Sequence, residues 1–327
     1  MKSGMFTRIL LYCLLCSLIV VAGCYIKIRG YSYPRARYER TVQLSKPMSA
    51  GTLFAARSND GWITVNGGDI ADCNVTATII VRADSDEKAK TIAEKTKLKL
   101  EQFGSKLTVK LEKPILMMNE SVDVQFEAIV VKDCDVELST DDGDITIENI
   151  NGDIDIKTDD GSVSLARIVG DIKVRSNDGS IDVQEVNSDV NLQTDGWIDI
   201  QTDDGSVTLS RVVGNIKARS NDGSTRIEDV TGDVNVQSDD GRITVVYSED
   251  AGSVCNVSLV TDDAAIDLTA PANFSASTEV ITDDGSINTD LPIKVTGKLG
   301  KSGIKGTIGT GEGRLYIKTN DGSIRIR

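Results

Sequence analysis

The chain of 327 residues contains no histidine. That removes the imidazole base of the usual Ser/His and Cys/His nucleophile arrangements and the commonest nitrogen ligand for metals. Aromatic residues make up only 4%, so a core has to be assembled from small and branched side chains of the kind that suit strands. Positive charge is in deficit, with 36 Lys and Arg against 50 Asp and Glu and a formal net charge of −14. Such a surface repels nucleic-acid phosphate, and no basic patch interleaved with aromatics offsets it, so nucleic acid is not an expected partner. Outside the N-terminal segment there is no C-x-x-C pair to mark a thiolate metal site.

Apolar residues are not scarce: 39% of the chain is enough for the core of one large or two ordinary domains. The N-terminus carries Lys2 and Arg8, the apolar stretch "ILLYCLLCSLIVV", and "VAGC" at Val21–Cys24. This pattern resembles the lipobox of bacterial lipoproteins, which implies cleavage before Cys24, a diacylglyceryl thioether on its sulfur, and an acylated (palmitate-type) amino terminus. Each buried methylene then adds about 0.8 kcal/mol of membrane affinity. The competing reading is an uncleaved signal anchor, because Ile9–Ile26 is long enough nearly to span a bilayer and Lys27, Arg29, Arg35, Arg37 and Arg40 follow it. Both readings place the remainder outside the cytoplasm on a membrane tether. Tyr25 in place of aspartate after Cys24 favours the outer membrane or cell surface over the inner membrane.

Residues 24–50, basic and without clear periodicity, are read as a tether following a signal peptide at 1–23. Three cysteines remain. Cys134 and Cys255 occupy matching contexts, "DCDVELSTDDG" and "VCNVSLVTDDA", that point both into a core as small hydrophobes, and a Cys73–Cys134 bridge stands as an alternative. A repeat opens at Gly51 and is interrupted by an excursion. There "CNVTATIIV" alternates as a strand, Ser85 caps a helix near 86–103 that Gly104 stops, and "SKLTVKLEKP" and "SVDVQFEAIV" alternate again. Residues 51–132 are expected to cap the array formed by 133–327.

From Asp141 the spacing is regular. Gly143, Gly152, Gly161, Gly170 and Gly179, then Gly205, Gly214, Gly223, Gly232 and Gly241, fall at steps of nine on either side of one shorter step to Gly196. "TDDGSV" at 158–163 returns unchanged at 202–207 as part of a 44-residue duplication. Within a unit, Val163, Leu165, Ile168, Ile172 and Val174 are apolar while Ser164, Asp171, Lys173 and Arg175 are polar. Runs this short cannot bury a face alone, so the pattern predicts an all-β, parallel β-solenoid of about 18 residues per coil. Turn glycines would supply positive φ, and the flanking Thr or Ser would bond along the stack.

Stacked acidic corners raise the question of calcium, with Asp159, Asp160, Asp203 and Asp204 as candidate ligands. The single glycine per unit departs from known calcium-binding nonapeptides, and Asn177, Asn221 and Asn320 replace the acid elsewhere. The expectation is therefore no cofactor, with calcium the exception to test. Trp62 and Trp197 each follow a turn glycine, where alternation turns them outward and makes them candidates for stacking on sugar rings. Paired carboxylates recur in every coil, so no catalytic dyad stands out, and no enzyme activity is expected. The sequons at Asn74, Asn119, Asn256 and Asn273 matter only in a eukaryotic secretory route.

The "DGxI" turns, the helix-bearing excursion and the ending "GTIGTGEGRLYIKTNDGSIRIR" resemble the bacterial putative-adhesin family of β-strand-repeat domains of uncharacterised function, over Gly51–Arg327. The resemblance implies a parallel β-helix-like architecture and a cell-envelope location. Ala264, in a turn-glycine position, and the irregular step at Gly196 depart from the pattern. Two functions follow: an envelope-anchored adhesive or binding scaffold whose partner is an envelope protein or glycan, and a structural envelope lipoprotein without a specific ligand. The last strand, with Arg325 and Arg327 beside Ile324 and Ile326, is expected to close the array against fibre growth.

Overall fold

The computed structural model describes residues 36–187, 197–296 and 302–327. The lipobox cysteine Cys24, the apolar stretch and the irregular step at Gly196 lie outside these residues. Two parallel-dominated sheets share one core. The first, of 13 strands, runs β1-β4-β7-β3-β9-β11-β13-β15-β17-β19-β21-β27-β23, and the second, of 14, runs β24-β25-β22-β26-β20-β18-β16-β14-β12-β10-β8-β2-β6-β5. In chain order the N-terminal elements are β1 (Ala36–Pro47), β2 (Leu53–Arg57), β3 (Ile63–Gly68), β4 (Asp72–Ala83), α1 (Asp86–Lys95), β5 (Lys97–Phe103), β6 (Lys106–Glu112) and β7 (Ser121–Val131). The regular array comprises β8 (Asp135–Ser139), β9 (Ile145–Asn151), β10 (Ile154–Lys157), β11 (Val163–Val169), β12 (Ile172–Arg175), β13 (Ile181–Asn187), β14 (Trp197–Gln201), β15 (Val207–Val213), β16 (Asn215–Ser220), β17 (Thr225–Val230), β18 (Val234–Ser238) and β19 (Ile243–Tyr247). The far end is β20 (Asn256–Val260), β21 (Ile266–Thr269), β22 (Ala276–Thr282), β23 (Ile287–Thr289), β24 (Lys294–Val295), β25 (Gly303–Ile308), β26 (Gly313–Thr319) and β27 (Ile324–Ile326).

Each coil places one strand in each sheet. Val163 pairs in parallel with Ile145 and Ile181, and Ile181 with Val207, so like aliphatic groups form an internal row. All four are at most 1% exposed. Burying such a side chain contributes roughly 1.5–3 kcal/mol, which one coil cannot gather without its neighbours. The row continues through Thr225, whose buried hydroxyl has no hydrogen-bond partner. Thr225→Val removes that unsatisfied group without changing shape and is expected to stabilise the protein by about 1 kcal/mol in urea unfolding. A loss of stability would mean that the hydroxyl is in fact satisfied.

Alternation slips by one residue within β9, β11, β13, β15 and β17 of the first sheet, in β11 from Leu165 to Ile168. Asn149, Arg167, Glu185, Arg211 and Asp229 take φ between 54° and 60° there, and Arg167 and Glu185 drop out of the pairing between Ala166↔Gln184 and Ile168↔Val186. A left-handed residue at the same point in five coils lets two inward positions three apart face the same core. None of the five is β-branched, the class that tolerates this region least.

Several expectations are corrected. Ala36–Pro47, within the supposed tether, is a twelve-residue strand antiparallel to β4. Its even positions, Ala36, Tyr38, Arg40, Val42, Leu44 and Lys46, are the covered ones, but the arginine and the lysine interrupt the apolar alternation. The helix stops at Lys95, where Thr96 turns extended, and Lys97–Phe103 is a strand. The alternating "KLKLEQF" pairs with β6, Phe103 is 91% exposed at the hairpin tip, and Gly104, with φ 59°, makes the hairpin turn rather than a helix stop. On either side of the undescribed residues 188–196, β12 pairs β14 and β13 pairs β15 in parallel, Ile172 with Ile198 and Ile181 with Val207. Finally, the C-terminal strand does not close the array. β26 lies between β20 and β22, and β27 between β21 and β23. The edges are instead the three-residue β23 and the two-residue β24, short enough to discourage further pairing.

Candidate functional site

The most regular chemistry lies at the corner that ends ten strands of the second sheet. Ser58, Thr140, Thr158, Ser176, Thr202, Ser220, Ser238, Thr261, Thr319 and Thr282 are buried one above another. The Thr158 hydroxyl accepts from Gly161 N (3.1 Å) and donates to Asp141 O of the coil below (3.3 Å), and Thr202 repeats this with Gly205 N (3.2 Å) and Asn177 O (3.0 Å). The first acidic or amide residue of each turn contributes its backbone carbonyl: Asp141 O accepts from both Asp159 N and Asp160 N at 3.0 Å, and Asp159 O accepts from Asn177 N and Asp178 N. Because the stack is joined there through the backbone carbonyl, Asn and Asp both serve at that position.

The second position is different. It is aspartate in all ten turns: Asp60, Asp142, Asp160, Asp178, Asp204, Asp222, Asp240, Asp263, Asp284 and Asp321. Burial, followed by the charge of Asp60 and Asp160, pushes the Asp142 carboxyl above its ordinary value; burial and then Asp160 and Asp204 do the same to Asp178, and burial and then Asp263 to Asp240. Asp60, at the cap end, is raised by burial and by Asp123, which Arg82 engages. A carboxyl raised in the folded state binds its proton more tightly there than in the unfolded chain, so the ionised forms of Asp60, Asp142, Asp178 and Asp240 oppose folding. That opposition fades as pH falls through the folded-state titration towards the unfolded value of 3.8. Thermal stability is therefore expected to increase from neutral to mildly acidic pH. It should then decline once acids held low by lysine partners, Glu112 by Lys99 and Glu120 by Lys88, are protonated. Asp178→Asn should raise the neutral-pH melting temperature and flatten the acidic rise, and a lower melting temperature would contradict the repulsive column.

The candidate calcium ligands are not brought together. Asn177–Asp178 lies between the Asp159–Asp160 and Asp203–Asp204 turns in the hydrogen-bonded stack, and among the described residues no group of three or more acids, cysteines or histidines is arranged to hold a metal ion. Trp62 and Trp197 are not paired either. Half-buried Trp62 precedes β3 in the first sheet, whereas Trp197 opens β14 in the second and pairs with Asn215. Cys73, Cys134 and Cys255 are unbridged and buried. Burial pushes the thiols of Cys73 and Cys134 up to about 12 and that of Cys255 to about 11, which leaves them protonated and inert at neutral pH.

The second sheet's outer face carries two further columns. Asp153 N donates to Asp135 Oδ1 (2.9 Å), Asp171 N to Asp153 Oδ1 (3.1 Å) and Asn256 N to Asp233 Oδ1 (2.7 Å), so these side chains tie one coil to the next. Beside them run the ion pairs Lys106–Glu137 (2.8 Å), Lys173–Asp155 (3.9 Å) and Lys217–Asp199 (3.7 Å). A shallow groove of about 410 Å³ follows these columns across several coils. The left-handed residues form a ladder on the other sheet, where Arg167 Nε donates to Asn149 Oδ1 (2.7 Å) and Arg211 pairs with Glu185 (3.2 Å). The slip from Leu165 to Ile168 was its only signal in the sequence. A second feature the periodicity did not reveal is apolar: Ile115, Met117 and Met118 stand 99%, 71% and 87% exposed in the loop between β6 and β7.

Known proteins bear on this architecture. The profile of the Toastrack DUF4097 family matches residues 28–212 and 196–327, and the chain belongs to that family. Similar solved structures include a putative cell adhesion protein from Clostridium sporogenes (9% identity, 88% of this chain and 99% of that one, TM-score 0.24). A putative adhesin from Bacteroides fragilis shows 12% identity over 88% and 97%, with a TM-score of 0.37. A putative lipid binding protein from Parabacteroides distasonis shows 11% identity over 90% and 97%, with a TM-score of 0.33. No curated protein matches the chain.

Proposed function

We propose that the protein is a non-enzymatic scaffold of the bacterial envelope, tethered to a membrane by Cys24 and presenting the long edge and faces of its solenoid to a protein or glycan partner. The observation that carries the binding role is the column of ten second-position aspartates. Asn serves at the first turn position, yet the second stays aspartate in all ten turns, although burial and neighbouring charge raise the carboxyls of Asp60, Asp142, Asp178 and Asp240. Ten stacked turns at roughly 4.8 Å per coil display that edge over roughly 40 Å. The purely structural reading has its own support in the self-paired ladder Lys106–Glu137, Lys173–Asp155 and Lys217–Asp199, which leaves the second sheet's face little unmet charge.

No helix among the described residues is long and apolar enough to cross a membrane, so the tether reading rests on residues 1–24. Cys24→Ser is the direct test: loss of lipid labelling and of membrane fractionation supports the lipoprotein, whereas retained fractionation without labelling supports the signal anchor. Protease treatment of intact cells, followed by capture of partners, separates the two functions. Surface digestion together with a partner lost on neutralising the aspartate column supports adhesion, and protection without a partner supports the structural role.

A further inference from the structure

We propose that the loop between β6 and β7 is a membrane-contact element, with Ile115, Met117 and Met118 seated among the headgroups and upper acyl chains of the bilayer that holds the N-terminus. This rests on the tethered reading above and adds a second point of attachment to it.

Single exposed hydrophobics are ordinary on a soluble surface, but three within four positions at 99%, 71% and 87% exposure are not. Nor is the loop slack. Glu120 N donates to Met117 O (3.0 Å), Met117 N donates back to Glu120 Oε2 (2.9 Å), and the other carboxylate oxygen meets Lys88 Nζ of α1 at 2.6 Å. Leu116 packs on the core between the outward residues. The turn is thus pinned from beneath by an almost fully covered Glu120, and its apolar side chains are held away from the protein. Side chains fixed outward in this way suit an interface that is apolar on one side and polar on the other.

The path of the chain identifies the occupant. Ala36 pairs with Ala83 at the end of β4, and Arg82 pairs with Ser121 at the start of β7. The residues that precede Ala36 therefore enter at the sheet end where the loop delivers β7, two strands or roughly 10 Å away. Those 35 residues contain the apolar stretch Ile9–Ile26 and the cations Lys27, Arg29 and Arg35, a sequence suited to a bilayer with anionic headgroups. β1, β4 and β7 form the cap end of the first sheet, so the coils stack away from this contact.

The test uses the full chain in vesicles of phosphatidylethanolamine and phosphatidylglycerol that carry dibrominated acyl chains, with tryptophan introduced as Met118→Trp or, at the far end, as Asn288→Trp. Acyl-chain bromine is expected to quench the first variant several-fold more than the second, and adding Ile115→Ser and Met117→Ser should reduce that quenching. Co-flotation with vesicles without differential quenching overturns the loop contact while leaving the tether intact. Failure to float overturns the tether and the loop contact together. Self-association abolished by the serine substitutions, without quenching, assigns the loop to a second copy of the chain and overturns the proposal.

Discussion

Leu315→Ala is expected to destabilise the protein by about 2–5 kcal/mol, while Ile287→Ala costs far less, although Leu315 is much nearer the C-terminus. Leu315 is fully buried on β26, between β20 and β22, whereas Ile287 is half-buried on the edge strand β23. Truncation after Glu312 goes further, because it removes β26 and β27 and with them Leu315, Ile317, Ile324 and Ile326, all 0% exposed. The coil built from β22 and β23 would then have no neighbour to pair with on its inner side. Hydrogen exchange should show protection lost across Ala276–Thr282 while β11, β13 and β15 keep theirs, since a solenoid is stabilised coil against coil. If the C-terminal coil instead capped the stack in sequence order, the truncation would leave Ala276–Thr282 protected and Leu315→Ala would resemble an edge substitution.

This insertion illustrates which features of the fold were legible in the residues. Register within the regular array was legible because the same spacing that repeats in the chain repeats in space: Val163, Ile181 and Val207 had to share a row if their coils stacked at all. Stacking order was not. β26 carries the same alternation whether it lies after β22 or before it, and only long-range packing chooses. Strand β1 was hidden for a related reason, since Arg40 and Lys46 interrupt the inward row of Ala36, Tyr38, Val42 and Leu44 and the partner is antiparallel. The helix start is legible at Ser85, whose side chain accepts from Lys88 N, whereas its end is not, because Leu100 satisfies both the helical and the strand period. At the corners, the hydroxyl ladder was anticipated from Thr and Ser alone, but the reason for glycine was not.

That reason supplies the other large effect. Gly161 is not in the left-handed region, yet a Cβ added there would lie 2.1 Å from the carbonyl oxygen of Gly143 and 2.8 Å from Thr158 Oγ1. The coils approach each other through bare backbone, and a methyl group cannot be admitted without prising them apart. Where the conformation permits, Gly→Ala commonly stabilises by about 0.4–1 kcal/mol through the unfolded chain. Here the overpacking cost, usually about 1–3 kcal/mol and occasionally more, should dominate and fall at its upper end, because the obstructing atoms are main chain. Nature's own substitution agrees in direction. At Ala264 one backbone amide, Asp262 N, bonds Asp239 O (2.7 Å) beside the Thr261 hydroxyl (2.9 Å), where counterparts such as Asp159 N and Asp160 N on Asp141 O make two backbone bonds. Gly161→Ala is accordingly expected to lower the urea midpoint markedly and to divide unfolding into two steps about the damaged interface. Gly252→Ala, at a site where an added Cβ meets nothing within 4 Å, should leave the midpoint nearly unchanged. A Gly161→Ala protein as stable as its Gly252→Ala counterpart would show that the acidic corners are not stacked backbone on backbone.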